Sequence, residues 1–95
     1  MTPVSTYPHV DFDLSFAVDL DASAAELVGT TAGSSGLVES ATVFDDYRSD
    51  AGERGVAIRY RLRAEDRTLE ADEIASERDR MVAAAATIGA ELRGA

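Results

Sequence analysis

Five arginines hold the most suggestive chemistry in this chain. Arg59, Arg61 and Arg63 occupy alternate positions of the stretch 55–63, and Arg48 and Arg54 flank the turn before it. A guanidinium is planar, permanently charged and rich in donors, so it can grip a phosphate in a fork or stack on a base plane. Alternate spacing in a strand puts Arg59, Arg61 and Arg63 on one face. No other grouping offers comparable chemistry. There is no cysteine, and the single histidine, His9, can anchor neither a zinc site nor a nucleophile–base pair, so it reads as a surface residue. Asp45, Asp46 and Asp50 lack calcium-loop spacing and read as surface aspartates. The run Gly33-Ser34-Ser35-Gly36 lacks the lysine of a phosphate loop and follows a helical stretch instead of opening one, so it reads as a helix stop. Carboxylates are abundant, but no spacing singles out an acid–base pair. The expectation is a binding module with no catalytic residues, no metal and no cofactor.

The charge balance limits what such a module can bind. The chain has 95 residues and a formal net charge of −9, and all nine of its basic residues are arginine. Residues 1–47 carry eight carboxylates and no arginine or lysine, whereas residues 48–95 carry nine arginines against ten carboxylates. A net negative domain repels phosphate, so any role with nucleic acid must rest on a local arginine cluster. There is neither an apolar run of about eighteen residues nor a charged-then-apolar leader, so a soluble cytoplasmic protein with no membrane partner is expected.

The elements that would position the arginines follow from hydrophobic period. Residues 1–9 read as an N-terminal arm or linker and 10–93 as one domain. Val10, Phe12, Leu14, Phe16 and Val18 alternate with Asp11, Asp13, Ser15, Ala17 and Asp19, which predicts a first strand. Ser23 and Glu26 predict a capping box on a short helix whose inward residues are Leu27 and Val28, weakened by Gly29, Thr30 and Thr31. A second strand spans 37–48, where the bulky pair Val43-Phe44 breaks the alternation and suggests a bulge. Residues 49–54 form a hairpin turn into the arginine strand, whose apolar row is Val56, Ile58, Tyr60 and Leu62. Ile74, Met81, Val82, Ala85 and Ile88 recur at helical steps, Gly89 stops that helix, and 90–93 is a short edge strand.

Strand, helix, strand, strand, helix, strand predicts an α+β, ferredoxin-like βαββαβ sandwich: a four-stranded antiparallel sheet with both helices on one face. Right-handed crossovers place the first and third strands side by side in the centre. The open face then sets Asp11, Asp13 and Ser15 beside Arg59, Arg61 and Arg63, with cross-strand ion pairs between the rows. Phe12, Phe16 and Tyr60 all belong to the apolar row. That leaves the open face without a stacking platform and argues against base stacking of the RNA-recognition-motif kind.

At this point the chain resembles a known family. Tyr7-Pro8-His9-Val10 and the segment 13–19 are similar to the opening strand of the ferredoxin-fold anticodon-binding domain that closes the beta chain of bacterial phenylalanyl-tRNA synthetase. Leu37-Val38-Glu39-Ser40, the segment 43–48, Val56-Ala57-Ile58-Arg59, Arg67-Thr68-Leu69 and the segment 89–93 resemble its later signatures in order and spacing. The resemblance implies a non-catalytic RNA-binding module that grips the anticodon stem-loop of phenylalanine tRNA and supports aminoacylation. Its partners would be that tRNA and the rest of a synthetase, not DNA, and Arg48, Arg54, Arg59, Arg61 and Arg63 would be the RNA-binding residues. Three features depart from the family. Asp11 and Phe12 stand where it usually has two arginines, the loop 49–54 is shorter and keeps only Arg54, and Glu70 replaces a capping Ser or Thr. The first two changes remove positive charge where RNA would approach. The competing expectation is a stand-alone acidic protein-interaction module that has kept the fold and lost RNA.

Overall fold

The computed structural model describes residues 8–94, so most of the expected N-terminal arm lies outside the described residues. The elements are β1 (Val10–Val18), α1 (Ala24–Gly33), β2 (Val38–Arg48), β3 (Arg54–Leu62), α2 (Ala71–Ala86) and β4 (Glu91–Gly94). The sheet is four-stranded with order β2-β3-β1-β4 and antiparallel pairing throughout, the topology the element order predicts. The apolar rows of the two central strands behave as their alternation requires. Leu14, Phe16, Val56, Ile58, Tyr60 and Leu62 are buried together with Leu27 of α1 and Met81 and Ala85 of α2.

Local chemistry sets the ends of the helices. The Ser23 hydroxyl accepts from the Glu26 N–H at 3.1 Å, which caps α1. The reciprocal bond of a full capping box does not form among the described residues. The α1 helix continues through Gly29–Thr31 because Thr31 is buried and its hydroxyl donates to the Leu27 carbonyl at 2.8 Å. Gly89 has φ +83°, and bonds from Gly89 N to Ala86 O and from Ala90 N to Ala85 O close α2 in a left-handed cap. The helix therefore stops before Ile88, which is exposed instead of joining the buried stripe. Among the described residues no helix is long and apolar enough to cross a membrane.

The second strand carries the irregularity that matters for function. Its register against β3 shifts between Val43 and Asp45, leaving Phe44 as the extra residue of a bulge. Before the bulge, Val43 pairs with Ile58 on the helix side; after it, Asp46 pairs with Val56 and Tyr47 with Gly55. A one-residue slip exchanges the two faces of a strand. Tyr47, which an unbroken count from Val43 would place in the core, therefore lies on the open face.

Candidate nucleic-acid interface

The open face of the sheet is built from the odd-numbered residues of β1 and β3 and from the part of β2 beyond its bulge. Asp13 lies opposite Arg59 and Asp11 opposite Arg61 in the β1–β3 register. Arg59 Nε and Nη2 donate to Asp13 Oδ1 and Oδ2 at 2.9 and 3.1 Å. Arg61 Nε and Nη2 donate to Asp11 Oδ1 and Oδ2 at 3.0 and 3.4 Å. The hydrogen bond from Arg61 holds the Asp11 carboxyl below the usual carboxylate range, and the same bonds raise both guanidinium groups. Arg63 ends the row. Its Nη2 lies 3.0 Å from His9 Nδ1, and its Nε, 3.5 Å from Glu39 Oε2, is buried without a hydrogen bond. His9 is thus a neighbour of the arginine row as well as a surface residue. The aspartate–arginine pairing expected from the two rows is present.

The other two arginines are elsewhere. Arg54 is the first residue of β3, not the last of the turn, and the strand's alternation turns it to the helix side. It is only 6% exposed. Its Nε and Nη2 donate to the two oxygens of Asp46 at 3.0 and 2.8 Å. Its Nη1 donates to the Leu20 carbonyl at 3.3 Å and also to the Ala22 carbonyl. Arg48, opposite Arg54 in register, donates to the same Leu20 carbonyl at 3.3 Å. Both side chains tie the β1–α1 turn to the sheet, so the structure separates them from Arg59, Arg61 and Arg63. Asp46 is not a free surface aspartate, because the Arg54 hydrogen bond holds its carboxyl below the ordinary range. Among the described residues no cluster of three or more His, Cys, Asp or Glu is placed to hold a metal.

Two residues that the sequence reading passed over complete the face. Phe44 and Tyr47 are 50% and 49% exposed. The Arg59 guanidinium carbon lies 4.9 Å from the centre of the Phe44 ring. The Tyr47 ring lies across Gly55, so that a Cβ there would stand 2.6 Å from Tyr47 Cζ and 2.7 Å from its hydroxyl. That cover buries Gly55 even though it belongs to the open face. The expectation of a face without aromatics is therefore corrected. The central strands do keep theirs in the core, but the β2 bulge delivers two rings from the edge. The imperfect alternation at Val43-Phe44 was the available signal.

The fold and this face define a ferredoxin-like α+β domain that presents one open, arginine-bearing sheet surface. The family model described as "Ferredoxin-fold anticodon binding domain" matches residues 5–93, and the chain belongs to that family. It is similar to the phenylalanine–tRNA ligase beta subunit of Syntrophotalea carbinolica, 40% identical over 95 residues, covering 95% of this chain and 12% of that protein. The corresponding subunits of Thermobifida fusca and Nocardia farcinica are each 42% identical over 96 residues, covering 96% of this chain and 12% of theirs. The chain thus spans about an eighth of the length of these relatives.

Proposed function

We propose that this domain is the RNA-holding accessory part of a cytoplasmic phenylalanine–tRNA ligase beta subunit, and that it receives the anticodon stem-loop of phenylalanine tRNA on its open sheet face. It does no chemistry; it positions the tRNA while another part of the enzyme charges the distant acceptor end. The observation that carries this reading is the half-exposed Phe44 beside Arg59, with Tyr47 half-exposed over Gly55 on the same face. Unpaired anticodon-loop bases stack on aromatic rings and on guanidinium planes, whereas paired stem bases cannot. Arg59, Arg61 and Arg63 are the candidate contacts. Arg48 and Arg54 act at a distance, by fixing the turn behind the sheet.

Fluorescence anisotropy with a labelled anticodon stem-loop tests the reading. Tyr47→Ala and Phe44→Ala should each weaken binding by about 5- to 100-fold, the usual worth of one stacked base. Equal affinity of wild type and both variants would refute the stacking face. The alternative, a protein-interaction module, draws on a separate observation: each open-face arginine already faces a carboxylate of its own domain. It predicts no stem-loop binding at low salt together with self-association in light scattering.

A further inference from the structure

The open face holds its own substitutes for phosphate. Arg59 and Arg61 each donate through Nε and Nη2 to both oxygens of one carboxylate. That planar two-point fork is the one guanidinium uses for a phosphate group. The carboxylates are also fixed in place, because Asp11 and Asp13 sit directly across the β1–β3 ladder from the arginines they engage. With Glu39 near Arg63, the row of three arginines is matched by three acids, in a domain of net charge −9.

Resting on the RNA reading of this face, we propose that Asp11 and Asp13 are specificity-determining residues. They hold Arg61 and Arg59 in charge-neutral forks, so that the face rejects bare phosphate backbone and admits RNA only where unpaired bases can stack. A phosphate arriving at Arg59 or Arg61 must displace a carboxylate already seated in the fork, against the field of an acidic domain. A base meets no such competition. It is uncharged, it can lie on Phe44 or Tyr47, and its acceptor atoms can use guanidinium hydrogens left over, because the fork engages two of five. The aspartates therefore tilt selection away from duplex stems and toward loops without touching the rings.

The experiment uses this chain, as wild type, Asp11→Asn, Asp13→Asn and the double variant, each checked to be folded with a cooperative melt at the assay temperature. Two probes are titrated across salt: the anticodon stem-loop, and a blunt RNA duplex that offers phosphates but no unpaired bases. Wild type should bind the duplex negligibly. The double variant should gain duplex affinity at low salt by several-fold or more, up to about 5-fold per released arginine. Its log–log salt slope should steepen by about 0.7–0.9 per arginine, with the single variants halfway. Wild-type binding of the stem-loop should show a slope shallower than the roughly 2 expected for three free arginines. Duplex affinity and slope unchanged in all three variants, or a wild-type stem-loop slope at or above that value, would overturn the proposal. The two readings fail separately. A stem-loop that never binds wild type, with duplex binding gained by the variants, removes the anticodon reading and leaves the carboxylate gate standing. Stem-loop binding with variants inert toward duplex does the reverse.

Discussion

The strand that carries the arginine row is pinned to the helix layer by one buried pair, which a double-mutant cycle can isolate. Tyr60 lies between Arg59 and Arg61 and is fully buried. Its hydroxyl donates to Thr31 Oγ1 at 2.7 Å, and the Thr31 hydroxyl in turn donates to the Leu27 carbonyl at 2.8 Å. Tyr60→Phe removes one donor and leaves the Thr31 donation intact, so it should cost about 1 kcal/mol. Thr31→Val keeps the branched shape but leaves a phenol hydroxyl buried with no acceptor, a cost of about 2 kcal/mol. The double variant leaves no polar orphan at this contact and should cost about 1 kcal/mol, well short of the roughly 3 that additivity would give. In urea, with an m-value of about 1 kcal/mol/M, the midpoints should fall by about 1, 2 and 1 M respectively. Burial also raises the Tyr60 phenol, partly opposed by the Thr31 bond. The folded state then keeps its proton where the unfolded state loses it. Stability is complete below about pH 10 and declines above it, and Tyr60→Phe should remove that part of the alkaline loss. Because Tyr60 points away from the open face, stem-loop affinity should stay within about twofold in Tyr60→Phe. A double variant whose cost equals the sum of the singles to within about 0.5 kcal/mol would refute the reasoning.

Two further outcomes follow from the sheet's other contacts. Gly55→Ala places a methyl 2.6 Å from Tyr47 Cζ, so the ring must swing off the sheet. Stability should change by less than about 1 kcal/mol, since a strand alanine recovers backbone entropy. The Tyr47 ring resonances should shift and stem-loop binding should weaken as in Tyr47→Ala, whereas unmoved resonances would contradict the placement of the ring. Acid should loosen the fold through Asp11, Asp46 and Glu73, whose carboxyls are held low by hydrogen bonds from Arg61, Arg54 and Arg67. Their contribution is present above the unfolded carboxylate range near pH 4 and is lost as pH falls through the lower folded values. The urea midpoint should therefore drop as pH falls below about 4, and Asp46→Asn should flatten the drop by removing a carboxylate that helps Arg54 hold the Leu20–Ala22 turn.

Most of the fold was legible because period two survives intact in β1 and β3. Those strands alternate without interruption, so their apolar rows, central placement and opposed aspartate and arginine rows could be read from residue order alone. Legibility failed where a count of residues lost its phase. Phe44 inserts into β2, and from that point the faces exchange, so Tyr47 emerges on the solvent side beside Gly55. Arg54 failed for the opposite reason. Read as a turn residue it was free to point anywhere, but as the first residue of β3 it shares parity with Val56 and Ile58 and must face the helices.

The same parity argument determines what the arginines can do. Five basic residues in a sequence suggest one cluster, but a sheet has two sides. Two of the five lie on the helix side, where backbone carbonyls and Asp46 use their donors. The other three lie on the open side, and register puts an acid within reach of each. The edge strand adds half-exposed aromatic surface to that side, Phe44 and Tyr47, with exposed Asp45 between them. A face assembled this way is poorly suited to long-range attraction of a polyanion, which needs unscreened positive charge. It is better suited to short-range selection of unpaired bases, where contact area and donor geometry decide. On the proposed reading, the bulge in β2 and the aspartates of β1 are two halves of one specificity: the first would supply the stacking surface, and the second would suppress the phosphate affinity that otherwise bypasses it.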